Sequence, residues 1–198
     1  MLTAASAQDN KPEKLAPYYP TPEFVVEKML QLGGLKRGEK MFDLGSGDGR
    51  IVIMAAQKFG AQAAGVELDA DLWKQSTDKI KSLGLEKSAR IINGDVLTQN
   101  YNSADVITVY LLPTSNDKVR PMLEKQLKKG TRIVSHDFEV AGWKPDKTET
   151  IDDDGEVVEK ELSETDPPPE YPEVESEDDP ETAGVTSEES GEPRKFYV

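Results

Sequence analysis

Residues 40–52, KMFDLGSGDGRIV, decide the fold, because a short apolar strand runs there into a glycine-rich turn and then into a helix. The strand is predicted over residues 41–44 and the helix over residues 48–58, with Gly60 as its stop. Without a Cβ, the glycines of the turn allow a sharp bend and a close approach of the backbone to a ligand. The stretch therefore predicts a strand, a binding loop and a helix in succession.

The spacing of the glycines separates three kinds of ligand. A P-loop needs a Gly-Lys-Ser/Thr triplet, which this loop lacks. A dinucleotide fingerprint is G-x-G-x-x-G, whereas this loop has Gly45, Gly47 and Gly49, with Asp43 two residues before the first of them. Asp43 would repel a pyrophosphate but suits the ammonium group of an amino acid. A tight turn that only packs strand against helix stays the alternative.

Acidic residues that follow the next two predicted strands indicate a nucleoside on the same ligand. Glu67 comes twenty residues after the central glycine, where an acid accepts hydrogen bonds from ribose hydroxyls. Leu68 is expected to line the site beside it. Asp95 and Val96 occupy the equivalent place after the following strand.

The rest of the chain alternates strands and helices, which is typical of a parallel α/β sheet. In such sheets ligands bind beyond the carboxyl ends of the strands, so Tyr110, at the end of the fourth strand, should face the group that is modified. The last strand is expected to pair antiparallel with its neighbour. The remaining strands are predicted over residues 61–66, 89–92, 104–110, 131–135, 147–151 and 194–198, and helices over residues 22–32, 71–83 and 116–127.

Three prolines in residues 17–22, PYYPTP, hold the chain extended ahead of the first predicted helix. Thr21 is expected to cap that helix and Pro22 to be its first residue. The two tyrosines, Tyr18 and Tyr19, either pack against the domain or form an aromatic lid over the ligand. Both alternatives stay open on the sequence alone.

The single histidine lies in Ser135-His136-Asp137, a combination that invites comparison with hydrolytic triads. Neighbouring residues of a strand point to opposite faces, so these three are not expected to form a triad. With one histidine and no cysteine, no metal site is predicted. His136 is expected to have a hydrogen-bonded structural role or, alternatively, to lie at the mouth of the binding cleft.

Charge is distributed unevenly along the chain. Residues 152–193 contain 18 acidic residues and one basic residue, Lys160, whereas the net charge of all 198 residues is −14. The remainder holds 20 acidic and 23 basic residues and is close to neutral. Because the acidic segment is poor in large apolar residues, it is predicted to be disordered. It would serve as a solubilising loop or, alternatively, dock a basic partner.

These features divide the chain into a flexible polar N-terminus (1–16), a folded domain (17–151), a disordered acidic insertion (152–193) and a possible final strand (194–198). No run of eighteen apolar residues is present, so no membrane span is predicted. Ala5-Ser6-Ala7 resembles a signal-peptide cleavage site, but only four residues precede it and the apolar core of a signal is missing. A cytoplasmic location is predicted, with export as the alternative.

Together these motifs resemble those of the class I S-adenosylmethionine (SAM) methyltransferases. The pattern D-x-G-x-G-x-G of residues 43–49 resembles motif I of that superfamily. More narrowly, PYYPTP (17–22), YLLP (110–113) and RIVSHDF (132–138) are similar to the group containing the archaeal broad-specificity protein lysine methyltransferases and their mitochondrial relatives. The resemblance covers residues 18–151 and extends to the last five residues if these form the final strand.

The resemblance implies a Rossmann-like α/β fold with a mostly parallel seven-stranded sheet, helices on both faces and a last antiparallel strand. It further implies SAM as the methyl donor and the ε-amine of protein lysine as the acceptor. The acidic insertion departs from the family pattern and bears on the substrate surface. The implied site residues are Tyr110, facing the acceptor, and, around the cofactor, Tyr19, Thr21, Asp43, Gly45, Ser46, Gly47, Glu67, Leu68, Asp95 and Val96.

Two other functions stay open. One is methylation of a small metabolite or RNA, and the other is a SAM- or dinucleotide-binding module without catalysis. Nucleic-acid methyltransferases often carry Asn/Asp-Pro-Pro-Tyr at the end of the fourth strand, where this chain has Tyr-Leu-Leu-Pro. A protein substrate is therefore expected rather than a nucleic acid, and the sequence does not indicate an oligomeric state.

Overall fold

The computed structural model of the protein describes residues 12, 14–152, 155–158 and 194–198, and of Lys195 it describes the backbone alone. Within these residues a seven-stranded sheet is accompanied by four α-helices and one short 3-10 helix. The strands are β1 (Lys40–Leu44), β2 (Gln62–Glu67), β3 (Ala89–Asn93), β4 (Val106–Val109), β5 (Arg132–His136), β6 (Thr148–Ile151) and β7 (Arg194–Tyr197). The helices are α1 (Glu23–Leu32), α2 (Arg50–Gln57), α3 (Ala70–Ser82), α4 (Pro113–Gln126) and the 3-10 helix Val96–Thr98.

The sheet has the order β3-β2-β1-β4-β5-β7-β6, and β7 runs antiparallel to both of its neighbours. Leu44 lies opposite Val66 on one side and Val109 on the other, so the carboxyl ends of β1, β2 and β4 reach the same edge. The strand order reverses between β1 and β4, which opens a crevice above that edge. The predicted fold class is confirmed, including the antiparallel last strand.

Both faces of the sheet are covered by helices. Met41 of β1 belongs to a hydrophobic cluster with residues of α1 and α2, whereas the adjacent Phe42 belongs to a second cluster with Val119 and Leu123 of α4. Successive side chains of a strand point to opposite faces, so this alternation places one cluster on each side. Burial on both faces explains why the central strands read as continuous apolar runs.

All four predicted helix starts differ from the structure, by one residue at α1 and α3, two at α2 and three at α4. Helix α1 begins at Glu23 with Pro22 at the N-cap and no side-chain capping bond, so the prediction that Thr21 caps it is wrong. Helix α4 begins at Pro113, three residues before the predicted start at Asn116. Proline suits the first turn of a helix, because its fixed φ matches the helix and the N–H it lacks would be unpaired there.

Both ends of the folded domain extend beyond the predicted limits. Leu15, predicted to be part of a flexible terminus, is only 9% exposed and belongs to the cluster under α4. At the other end, Val157 forms an antiparallel bridge with Ile151, so the first residues of the acidic segment return alongside β6. The predicted disorder of residues 159–193 and the Ala5-Ser6-Ala7 motif lie outside the described residues. In the part of the chain that is described, no helix is long and apolar enough to cross a bilayer.

The last strand contributes a fully buried side chain, which allows its role in stability to be tested. Phe196 is inaccessible to solvent and belongs to the cluster that covers α1 and α2. We expect Phe196→Ala to lower the free energy of unfolding by about 3–5 kcal/mol, because it removes a buried aromatic ring and leaves a cavity. Urea denaturation followed by circular dichroism measures this change.

Phe24→Ala is the matched control, since Phe24 is 40% exposed. It should lower the free energy of unfolding by less than about 1 kcal/mol. Equal effects of the two substitutions would show that β7 is not part of the core.

Candidate active site

A cavity of about 680 Å³ lies at the carboxyl ends of β1, β2 and β4, in the crevice that the strand order creates. Residues from six separate parts of the chain line it. Four of these parts follow strands β1 to β4, because the ends of parallel strands share one edge of the sheet. The structure places every sequence-predicted site residue on the wall of this cavity: Tyr19, Thr21, Asp43, Gly45, Ser46, Gly47, Glu67, Leu68, Asp95, Val96 and Tyr110.

The glycine-rich loop after β1 forms the floor of the cavity. Gly47 has a φ of 50°, which disfavours any other residue, and a Cβ there would lie 2.7 Å from the ring of Tyr18. Beneath the loop, a Cβ at Gly65 of β2 would collide with the hydroxyl of Ser46. The loop therefore fits tightly between the Tyr18 ring and strand β2, and side chains are excluded at both contact points.

Glu67 connects the loop to the beginning of α3. One of its carboxylate oxygens accepts a hydrogen bond of 2.7 Å from the backbone N–H of Gly47, and the other accepts one of 2.9 Å from the N–H of Asp69. The side chain of Asp69 in turn caps α3 by accepting from the N–H groups of Asp71 and Leu72. Glu67 therefore fixes the distance between two backbone segments, a role that its spacing in the sequence did not reveal.

Asp43 is a buried carboxylate with one oxygen unpaired. The hydroxyl of Thr108 donates to Oδ1 at 2.7 Å, whereas Oδ2 has no hydrogen-bond partner and the residue is 2% exposed. Burial raises the pKa of this carboxyl to about 7; the Thr108 hydrogen bond opposes the increase, and the negative charges of Glu67 and Asp48 add to it. A cationic group in the cavity would give Oδ2 its missing partner and favour the ionised form.

The segment before α1, residues 14–22, crosses the cavity and is called the strap below. The guanidinium of Arg50 donates to the carbonyl of Thr21 at 2.7 Å and to the carboxylate of Asp48 at 2.8 Å. The Tyr18 hydroxyl is hydrogen-bonded to the same arginine and aspartate, and its pKa is raised by burial and by the charge of Asp48. The hydroxyl of Ser115 holds the other end of the strap through the carbonyl of Leu15.

These contacts decide between packing and lid formation for the two tyrosines. Both tyrosines line the cavity, at 43% and 47% exposure; Tyr18 packs on the loop, whereas Tyr19 lies beside Arg194. Sequence reasoning missed Arg50 as a site residue and named Tyr18 only as one of two possible lid tyrosines. The available signal was Arg50 itself, a cation next to Asp48 directly after the last glycine of the loop.

Asp95 and Val96 form the far end of the cavity through the short 3-10 helix. The carboxylate of Asp95 caps this helix by accepting from the N–H of Leu97 at 2.8 Å. The carbonyl of Val96 accepts a hydrogen bond from the buried hydroxyl of Tyr101 at 2.8 Å. These two bonds hold the turn after β3 in place without using the backbone N–H of Val96.

Tyr110 lies at the opposite end of the cavity, on a buried aromatic support. Its ring centroid is 4.1 Å from that of His136 and 6.3 Å from that of Phe138, and the Tyr110 and Phe138 rings are stacked. Burial raises the pKa of the Tyr110 hydroxyl, and a hydrogen bond to the Asp137 carboxylate contributes in the same direction. The phenol is therefore neutral at physiological pH, with the Asp137 carboxylate beside it.

The Ser135-His136-Asp137 sequence forms no triad, but not for the predicted reason. Strand β5 ends at His136, and Asp137 takes a left-handed backbone with φ of 58°, which brings its Oδ2 to 3.4 Å from His136 Nε2. The Ser135 hydroxyl donates instead to the carbonyl of Phe138. Side chains alternate between the two faces of the sheet only within a strand. Because β5 ends at His136, the rule does not apply to Asp137.

His136 is a packing residue and not a hydrogen-bonded one. It is 1% exposed, and neither ring nitrogen makes a hydrogen bond. Burial lowers the pKa of this imidazole to about 4, which outweighs the opposite effect of Asp137, so the ring is neutral and forms no ion pair. The predicted hydrogen-bonded role is wrong, and the ring instead packs between those of Tyr110 and Phe196. Among the described residues, no group of three His, Cys, Asp or Glu side chains could hold a metal ion.

Comparison with known proteins shows which family the chain belongs to. The family model described as the ANTKMT methyltransferase domain matches residues 43–147. A protein-lysine N-methyltransferase of Saccharolobus islandicus (strain REY15A) is 40% identical over 138 residues, which cover 69% of this chain and 86% of that protein. The adenine nucleotide translocase lysine N-methyltransferase of Mus musculus is 32% identical over 129 residues, which cover 65% of this chain and only 56% of that longer protein.

A solved structure is also similar. It is described as an RNA methyltransferase from Salinibacter ruber in complex with S-adenosyl-L-homocysteine. It shares 45% sequence identity with this chain at a TM-score of 0.64, and the match covers 66% of this chain and 85% of that one. On the family match and the archaeal relative, the chain belongs to the ANTKMT methyltransferase domain family of SAM-dependent methyltransferases.

Proposed function

We propose that this chain transfers a methyl group from SAM to the ε-amine of lysine in a protein. The unpaired oxygen of Asp43, buried on the wall of the cavity, is the observation that carries the donor half of this proposal. The acceptor half is supported by the archaeal relative, named as a protein-lysine N-methyltransferase and matched over 86% of its length.

The cavity offers a suitable partner to each part of SAM. The ammonium of its methionine end matches Asp43 Oδ2, and the hydroxyl of Ser46, also buried without a partner, provides a further polar contact. Gly47 contributes space and not a donor, because its N–H is already bonded to Glu67. Each carboxylate oxygen of Glu67 accepts one backbone bond and keeps a lone pair for a ribose hydroxyl.

The remaining assignments follow the shape of the cavity. The adenine end would lie at Asp95 and Val96, whose backbone N–H is not used in the turn, with Leu68 beside the ribose. Tyr19 and Thr21 of the strap would cover the cofactor. We also propose that the catalytic domain comprises residues 17–151 and 194–198, together with Leu15 and Val157, which pack and pair against them. A cytoplasmic location remains a prediction, and it rests on the need for a supply of SAM.

Catalysis requires a neutral amine near Tyr110. A free lysine with a pKa near 10.4 is neutral in about 1 molecule in 2,500 at pH 7, a deprotonation cost of roughly 4.6 kcal/mol. When bound, SAM supplies a methyl group on a positively charged sulfur; the amine lone pair forms the new C–N bond as the C–S electrons return to sulfur. The aromatic support of Tyr110 partly excludes water, which favours the neutral amine. Tyr110 positions the nitrogen.

Methylation of RNA is the second candidate, favoured by the description of the Salinibacter ruber protein. Tyr110 lies where the planar-nitrogen motif of nucleic-acid methyltransferases would lie, and the sequence there is Tyr-Leu-Leu-Pro. A phenol on an aliphatic and aromatic wall suits a lysine side chain better than a polar base edge.

Incubation with methyl-tritiated SAM and cell extract decides between these acceptors. We expect the label to enter protein, and acid hydrolysis of that protein to yield methylated lysine. Label found only in RNA or small molecules would contradict the protein-lysine proposal. SAM binding by calorimetry with no labelled fraction would indicate a non-catalytic module.

Tyr110→Phe tests the positioning role of the phenol. We expect turnover to fall by about 10–100-fold, because the amine loses a hydrogen-bond partner, while the dissociation constant for SAM changes by less than about twofold. Calorimetry and labelled-methyl turnover measure the two quantities. Tyr197→Phe, outside the cavity, is the control and should leave both unchanged. Full turnover in Tyr110→Phe would remove Tyr110 from the mechanism.

Asp43→Asn tests recognition of the ammonium group. Because the pKa of Asp43 is raised to about 7, the wild type must lose a proton to bind the cation below that pH. Its affinity for SAM should therefore rise by up to about tenfold per pH unit between pH 5.5 and 7 and then level off. The variant should bind roughly 100-fold more weakly at pH 7.5 and show no such rise.

Asp105→Asn is the matched control for this titration. Asp105 pairs with Lys128 at 2.6 Å ahead of β4, at the sheet edge away from the cavity. Its replacement should leave the pH profile of SAM binding intact. A rising profile in Asp43→Asn would mean that another group recognises the ammonium.

A further inference from the structure

Asp137 has the one positive φ among the non-glycine residues that the structure describes. A left-handed backbone costs a residue with a Cβ about 1–2 kcal/mol, and such strain concentrates at functional sites. The turn at Asp137 redirects the chain directly after β5 and points its carboxylate toward Tyr110. A strand continuing past His136 would have sent this side chain to the opposite face.

Among the described residues, the side chains of Tyr110, Arg194 and His136 lie around the Asp137 carboxylate. Arg194 Nη1 lies 3.6 Å from Oδ2, and His136 Nε2 lies 3.4 Å from the same oxygen. The centroid of the Tyr110 ring lies 4.1 Å from that of His136, and burial together with the nearby Asp137 carboxylate raises the pKa of the Tyr110 hydroxyl. Since His136 is buried and neutral, it adds no positive charge, whereas Arg194 is a cationic partner of Asp137. The side chains of Asp137 and Arg194 are only 20% and 18% exposed, so solvent screens their attraction less than at an open surface.

Arg194 links this carboxylate to the strap. It is the first residue of β7 and is held opposite Ile151 of β6. Its guanidinium is also hydrogen-bonded to Tyr19, which lies on the cavity wall. A continuous set of contacts therefore runs from Tyr19 through Arg194 and Asp137 to Tyr110.

We propose that Asp137 and Arg194 are positioning residues for methyl transfer: Asp137 accepts a hydrogen bond from the neutral Tyr110 hydroxyl, and Arg194 holds Asp137 in place. A free phenol could donate its proton to the lone pair of the acceptor amine and so occupy the electrons that must attack the methyl carbon. A phenol that already donates to Asp137 can only accept from an amine N–H. The arrangement leaves the amine lone pair directed at the methyl group. This proposal rests on the proposed function.

A double-mutant cycle tests whether Asp137 acts through Tyr110. Asp137→Gly keeps the left-handed backbone without strain and removes the carboxylate. We expect it to lower kcat by about 10–100-fold, as Tyr110→Phe does, with the dissociation constant for SAM changed by less than about twofold. The double variant should be no slower than either single variant, because both remove one interaction. Additive losses, or full turnover in Asp137→Gly, would overturn the proposal.

Asp137→Asn is the conservative variant. Asparagine tolerates a positive φ, and its amide oxygen can accept the Tyr110 proton. We expect it to retain kcat within about fivefold of the wild type. Asp105→Asn, the matched aspartate at the other edge of the sheet, should have no effect. A loss in Asp137→Asn as large as in Asp137→Gly would argue against the hydrogen bond as the working interaction.

Arg194→Gln tests the second positioning residue. It should lower kcat by about 10-fold through disorder of the Asp137 carboxylate, without weakening SAM binding by more than about twofold. Arg132→Gln is its control, since Arg132 pairs with Glu39 at 2.7 Å away from the cavity. Equal kcat values for the two variants would remove Arg194 from the proposal.

A spectroscopic measurement keeps this inference separate from the identity of the acceptor. In protein labelled with [13Cζ]tyrosine, the hydroxyl proton of Tyr110 is identified by its absence in Tyr110→Phe. We expect this signal to disappear by exchange or shift upfield in Asp137→Gly and to persist in Asp137→Asn. An unchanged signal in Asp137→Gly would overturn the hydrogen bond even if the enzyme methylates lysine.

Failure of the protein-lysine proposal can likewise be distinguished from failure of this inference. If the wild type labels RNA and not protein, the protein-lysine proposal fails, and the same cycle run on that RNA decides whether Asp137 acts through Tyr110.

Discussion

The cavity depends on one carboxylate that holds two backbone segments at a fixed separation. Glu67 accepts from Gly47 with one oxygen and from Asp69 with the other, at 2.7 and 2.9 Å. Hydrogen bonds to a charged group contribute roughly 1.5–3 kcal/mol each, so the loop after β1 cannot drift from the start of α3 without losing a large part of the domain's stability. With this spacing fixed, the tight contacts at Gly47 and Gly65 become possible.

Negatively charged side chains are concentrated at the same edge of the sheet. This charge distinguishes a cationic ligand from a dinucleotide more clearly than the spacing of the glycines does. The ionised form of Asp43 is destabilised by burial and by the negative charges of Glu67 and Asp48, and the pKa of this carboxyl is therefore raised to about 7. Since the folded pKa exceeds the unfolded one, this group costs the ligand-free protein stability as pH rises from about 4 to 7. A ligand with a cation at Asp43 removes that cost, whereas a pyrophosphate would increase it. The electrostatics therefore favour a SAM-like cofactor over a dinucleotide.

The fold was predictable from the sequence because each signal for it is local. Apolar runs, the glycines after β1 and the acids after β2 and β3 all lie within a few residues of the element they report on. Parallel topology then brings the strand ends together, which is why Asp43, Glu67, Asp95 and Tyr110 share one cavity. The features that the sequence did not predict depend on contacts between distant parts of the chain. The contact between Tyr18 and Arg50 joins residues far apart in sequence, and the left-handed turn at Asp137 is set by tertiary contacts that no short pattern encodes.

The same contrast between local and distant contacts separates the cofactor-binding half of the site, called the donor half, from the acceptor half. The main contacts of the donor half come from β1, α2, β2 and the turn after β3, which follow one another in sequence, and the strap covers them. The acceptor half needs both Tyr110 and Arg194, which lie 84 residues apart, and Arg194 reaches the site only when β7 inserts between β5 and β6. Because contacts so distant in sequence close large loops, they are the more costly to form. The acceptor half therefore depends on a completed sheet, and changes in its residues can alter the acceptor without disturbing the contacts that Glu67 maintains around the cofactor loop.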